Sequence, residues 1–128
     1  MKKRIVISGY YGCGNIGDEA VLRGILAGLD ELGVEAEITV LSSDPVRTES
    51  EHPGTRSIHR FNPLAVVRSI RSADLVVSGG GSLLQDITSA RSARYYLGIL
   101  RLAQILGRRT MLCAQGIGPL VRLSLIHI

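Results

Sequence analysis

The chain has 128 residues, 45% of them hydrophobic and 20% charged, with a formal net charge of +4. That length closes one hydrophobic core, and the composition excludes a disordered chain. There is no Trp, one Phe and four Tyr, so Leu, Ile, Val and Ala must fill the interior, as in a layered α/β domain.

In chain order, residues 4–8 (RIVIS) form a short apolar run ending at Gly9, the pattern of a strand buried on both faces. In this reading Gly9 makes the turn after the strand, and Tyr10 and Tyr11 lengthen the loop. From Gly17 the period becomes helical, with Val21, Leu22, Ile25, Leu26, Leu29 and Leu32 on one stripe and Gly33 as the stop. A second strand follows at 36–41 (AEITVL). Residues 45–55 are polar and carry two prolines, which predicts a surface loop. A short strand is expected at 57–59. Asn62 and Pro63 then spell a helix start, Asn as cap and Pro at the first position, with Val66, Val67 and Ile70 inside the helix. Residues 74–78 (DLVVS) are the next strand and run into Gly79, Gly80 and Gly81. A helix over 89–106 presents Tyr96, Leu97, Leu100, Ala103 and Ile105 or Leu106 to the core, and 109–114 (RTMLCA) is the last strand. Alternating strands and helices predict a Rossmann-like doubly wound parallel sheet. The final segment, VRLSLIHI at 121–128, has no acid and no turn residue, and is set apart from the domain over 1–120 as an atypical or truncated tail.

No stretch resembles a secretory leader, and no run approaches the ~18 apolar residues of a membrane span; a cytoplasmic protein is expected. Cys13 and Cys113 have no metal-ligand spacing, and neither His52 nor His59 has a second ligand nearby in sequence, so no metal site is expected. Arg68, Arg71, Arg91, Arg94, Arg101, Arg108 and Arg109 concentrate in the second half. Without aromatic interleaving or a reader motif they are read as solvated helix faces rather than a nucleic-acid surface. Peripheral contact with the inner membrane face, or a phosphorylated substrate, would also suit that charge.

In a parallel sheet all strand carboxyl ends lie on one edge, where ligands bind. Three predicted strands meet a glycine cluster there: GYYGCGNIGDEAVL at 9–22, VSGGGSLLQD at 77–86 and AQGIGPL at 114–120. Glycine allows close backbone approach, and the helices behind the first two clusters aim free N–H groups at the same space. Gly12, Gly14 and Gly17 also spell the dinucleotide fingerprint, but with Gly9 closing the strand its register is displaced. The acid expected after the second strand would be Asp44, which also reads as turn chemistry. Asn15, Asp18 and Asp86 serve equally as helix caps or as polar contacts to a ligand.

These three ordered segments resemble the polysaccharide pyruvyl transferase family of bacterial cell-wall synthesis. The resemblance covers residues 1 to about 120 and excludes the tail. It implies the N-terminal half of a two-domain transferase similar to the GT-B architecture, inactive alone. It also implies phosphoenolpyruvate as donor, a hydroxyl pair of a glycan or lipid-linked saccharide, often on an N-acetylmannosamine unit, as acceptor, and no cofactor. By motif, the implied substrate-binding residues are Gly14, Asn15, Gly17, Asp18, Gly80, Gly81, Gln85, Asp86, Gln115 and Gly116, with Asp18 and Asp86 as catalytic candidates. The family's cationic donor-site and His/Arg catalytic residues are expected in a second half. The rival readings are an NAD(P)-binding reductase domain and a non-catalytic glycan- or nucleotide-binding module.

Overall fold

The computed structural model describes residues 3–12, 16–79, 90–113 and 123–125. The strands are β1 (Lys3–Tyr11), β2 (Ala36–Ser42), β3 (Arg56–His59), β4 (Leu75–Gly79), β5 (Arg109–Cys113) and β6 (Leu123–Leu125). The helices are α1 (Ile16–Glu31), α2 (Pro45–Glu51), α3 (Pro63–Arg71) and α4 (Ala90–Ile105). One sheet has the order β3-β2-β1-β4-β5-β6. Its first five strands are parallel, and β6 pairs antiparallel with β5, Leu112 opposite Ser124, so β5 is not the last strand and the segment set apart as a tail adds one to the sheet. This is the Rossmann-like arrangement the alternating pattern predicts, with the order reversing between β1 and β4.

Strand alternation divides the core. Ile5, Ile7, Tyr11, Val40 and Val77 pack with Leu22 of α1 on one face. Val6, Leu41 and Val76 pack with Val66 and Ile70 of α3 and Ile99 and Ala103 of α4 on the other. Because the central strands β1 and β4 are buried on both faces, they read as continuous apolar runs. The predicted stripes are corrected at Leu32, which is 78% exposed, and at Leu97, which also faces solvent, whereas Ile99 is buried. Of the alternatives Ile105 and Leu106, Leu106 packs against the core and Ile105 is 67% exposed. Leu32 lies beyond α1, where the chain turns through Gly33 at φ +69°, and Ile105 is the last residue of α4.

Two further expectations are overturned. Residues 45–51 form α2, with Asp44 as cap: its side chain accepts from the Arg47 N–H at 3.2 Å, and Pro45 opens the helix. Thr48 and His52 of this segment are buried. The first strand also does not stop at Gly9. Its pairing with β2 shifts register between Ser8 and Tyr11, and Tyr11 sits opposite Ser42 with no exposed surface. The predicted cap of α3 is confirmed, the Asn62 side chain accepting from the Ala65 N–H at 3.2 Å.

Candidate functional site

Since β1 ends at Tyr11, Gly12 is the first residue beyond the strand, at φ +80°. A Cβ there would overlap the Ser42 hydroxyl and lie 2.6 Å from the Asp44 backbone N. The loop after β1 is thus pressed against the loop after β2, a contact that requires glycine twice, for its φ and for its missing side chain.

A polar chain closes the same corner. The Gly12 N–H donates to Glu19 Oε2 at 2.8 Å, and Glu19 Oε1 lies 3.2 Å from His52 Nε2. The Ser42 and Thr48 hydroxyls are 2.7 Å apart, and Ser42 Oγ accepts from the Asp44 N–H at 2.9 Å. The Ser43 N–H donates to the Tyr11 carbonyl at 3.0 Å. His52, Ser42 and Thr48 are buried, so each bond replaces one that water would otherwise make. His52 is therefore no surface-loop histidine: it fixes Glu19, which holds the first glycine of the loop. Glu19, Glu51 and His52 bring ligand atoms within 4.8 Å of one another. Holding a cation would require His52 Nε2 to present its lone pair and give up its hydrogen bond to Glu19 Oε1 at 3.2 Å.

Further along this edge, beyond β3, a second cluster forms. The Tyr95 hydroxyl donates to the Arg60 carbonyl at 2.6 Å, and the Arg60 N–H donates to the Ser42 carbonyl at 2.9 Å. The Arg60 guanidinium lies 4.6 Å from the Phe61 ring centroid and 5.3 Å from that of Tyr95. Burial pushes the Tyr95 phenol above its usual pKa, and the Arg60 charge opposes that rise. At the switch point, Ser8 of β1 stands opposite Ser78 of β4. Both are buried, and Ser8 Oγ has no hydrogen-bond partner among the described residues.

Of the residues singled out by sequence, Gly17 is an exposed residue in the first turn of α1, and Asp18 follows it in the helix. The side chain of Asp18, and all of Gly14, Asn15, Gly80, Gly81, Gln85, Asp86, Gln115 and Gly116, lie outside the described residues. The strands that lead into the three glycine segments are described. β1, β4 and β5 are consecutive parallel neighbours in the sheet, so all three segments leave from adjacent carboxyl ends. Sequence reasoning missed Glu19, Ser42, Thr48 and His52. The signal for the last two was Asp44-Pro45, the same cap-and-proline spelling that located α3.

The polysaccharide pyruvyl transferase family matches the chain over residues 15–125. The chain belongs to that family. The matched range holds every one of the sequence-assigned residues except Gly14, and it extends to the end of β6. No curated protein matches the chain. Membership in the pyruvyl transferases assigns a transferase activity in general terms. Among the described residues no helix is long and apolar enough to cross a membrane.

Proposed function

We propose that this chain forms the acceptor side of an enzyme that moves the pyruvyl group of phosphoenolpyruvate onto two hydroxyls of a cell-wall or exopolysaccharide precursor. The observation that carries the reading is the family match over a sheet whose three glycine segments issue from adjacent strands at one edge. Protonation of the donor's methylene carbon gives a methyl group and a cationic C2. One sugar hydroxyl adds to C2 and loses its proton. The second hydroxyl then displaces phosphate from C2, and its proton leaves with the phosphate, closing the ketal. The reaction needs a general acid, a base and cations that hold the donor's carboxylate and phosphate. Those cations, with the His/Arg catalytic residues, are assigned to a second α/β half, and no cofactor enters the balance.

In this reading Asn15, Asp18, Gln85 and Asp86 contact acceptor hydroxyls or line the cleft, beside Gly14, Gly17, Gly80, Gly81, Gln115 and Gly116. The acceptor is a glycan or lipid-linked saccharide met at the cytoplasmic face of the membrane. Asp18→Asn and Asp86→Asn in the complete enzyme should each raise the acceptor KM or depress kcat by roughly tenfold or more, the usual scale for a general acid–base or charged hydrogen-bond group. Unchanged kinetics in both would sink the assignment.

One observation favours a second reading. Gly12 directly follows β1 with positive φ, which restores the register of a dinucleotide fingerprint. Against it, the Glu19 carboxylate already accepts from the Gly12 N–H and would repel a pyrophosphate there. Asp44 is committed to capping α2. A titration showing micromolar NADH affinity would support the reductase reading.

A further inference from the structure

Phe61 is 60% exposed although its surroundings are built to hold it still. Its N–H donates to His59 Nδ1 at 3.1 Å. The Asn62 N–H donates to the His59 carbonyl at 3.0 Å, and Asn62 caps α3, so the backbone on both sides is pinned. The Tyr95 ring meets Phe61 edge-on at 5.5 Å between centroids, His59 stands tilted at 5.9 Å, and the Arg60 guanidinium rests over the ring. These contacts fix the ring's orientation without burying it.

The position separates Phe61 from Leu32 and Ile105, and its ring contacts separate it from Val46 on the same edge. Leu32 and Ile105 lie at helix carboxyl ends, on the sheet edge away from the strands' carboxyl ends. Phe61 lies between the end of β3 and the start of α3, and Tyr95 in the second turn of α4, so both belong to the ligand edge. An exposed, immobilised aromatic face offers the C–H face of a pyranose a flat, weakly negative surface, and a ring already fixed loses little side-chain entropy on binding.

We propose that Phe61, braced by Arg60 and Tyr95, is a stacking platform for a pyranose ring of the acceptor glycan. The proposal rests on the transferase reading for the identity of the sugar and adds the residue that grips it. Leu64 and Val67 continue an exposed stripe along α3, and a second copy of the chain covering that stripe is the rival occupant.

The chain contains no tryptophan, so Phe61→Trp places the sole tryptophan, excited apart from the tyrosines, at the platform. Titration of this variant with the methyl glycoside of N-acetylmannosamine should shift or quench its emission. Sorbitol, an open-chain polyol with no ring face, should leave it unchanged. In the otherwise unmodified chain, Phe61→Ala should weaken binding of the same glycoside about tenfold by NMR titration, the scale of one aromatic stacking contact. Phe61→Tyr should restore it. An emission unresponsive to the glycoside, an equal response to sorbitol, or an unchanged Kd in Phe61→Ala overturns the proposal. Emission that follows protein concentration but not sugar assigns the stripe to a second copy and also overturns it. Acceptor KM unchanged in Phe61→Ala of a working transferase removes the platform and leaves the transferase. Glycoside binding at Phe61 in a protein that never consumes phosphoenolpyruvate removes the transferase and leaves the platform.

Discussion

Replacing Gly12 with alanine tests the reading of the first glycine loop, because the same substitution elsewhere supplies its own control. Gly12 and Gly54 both have positive φ, +80° and +91°. A Cβ on Gly54 meets nothing within 4 Å, whereas one on Gly12 meets the Ser42 hydroxyl and the Asp44 backbone N. Gly54→Ala therefore carries only backbone strain, about 1 kcal/mol, part of it offset by the lower entropy of the unfolded chain. Gly12→Ala adds an overlap that neither partner can yield cheaply: the Ser42 hydroxyl is tied to Thr48, and the Asp44 atom is main chain. Overpacking of that kind costs about 1–3 kcal/mol, giving a total of roughly 2–4 kcal/mol. For a domain of this size the total corresponds to a fall in Tm of the order of 10 °C. Urea and thermal unfolding of the two variants measure the difference directly. Equal destabilisation of Gly12→Ala and Gly54→Ala would show that the two loops are not packed together, and the geometry of the site's first corner would be refuted.

Removing the Glu19 carboxylate with Glu19→Ala leaves the Gly12 N–H and His52 Nε2 without their acceptor, at a cost of about 1–3 kcal/mol. Hydrogen exchange at the Gly12 amide should accelerate in that variant. Asn62→Ala removes the cap of α3 and should cost about 1 kcal/mol in denaturant unfolding, while Asn62→Gly costs only a few tenths. Tyr95 gives a pH signature. Its phenol is raised by burial, so the fold favours the neutral form; this contribution is complete below the ordinary value near 10 and is lost as pH rises through the folded value. Stability above pH ~10 should fall more steeply in the wild-type chain than in Tyr95→Phe, and ultraviolet titration should show a late ionisation that Tyr95→Phe removes.

The parallel sheet was legible because strands buried on both faces must be apolar throughout, as at Ile5, Val6 and Ile7. The cap of α3 was legible because Asn62-Pro63 has a local mechanism. α2 was not, although Asp44-Pro45 has the same spelling: Arg47, Thr48, Glu49, Ser50 and Glu51 offer no apolar stripe. Thr48 and His52 are held inside by hydrogen bonds to Ser42 and Glu19, which composition does not reveal. The end of β1 was misplaced because glycine after an apolar run signals a turn, whereas here a register shift carries the strand past Gly9 until Tyr11 is buried. The corner between Gly12, Glu19, Ser42 and His52 joins residues up to forty positions apart through single polar bonds, a pattern that periodicity cannot display. The strands that lead into the glycine segments were legible, and the sheet topology sends β1, β4 and β5 to one edge as adjacent parallel neighbours.

The most direct test of the central claim follows inorganic phosphate and the sugar product together. The complete enzyme is incubated with phosphoenolpyruvate, with and without an N-acetylmannosamine-containing acceptor. The account predicts phosphate release that depends on the acceptor and equals, mole for mole, the pyruvate ketal detected by NMR. Acceptor present, donor untouched and NADH bound at micromolar concentration would contradict it.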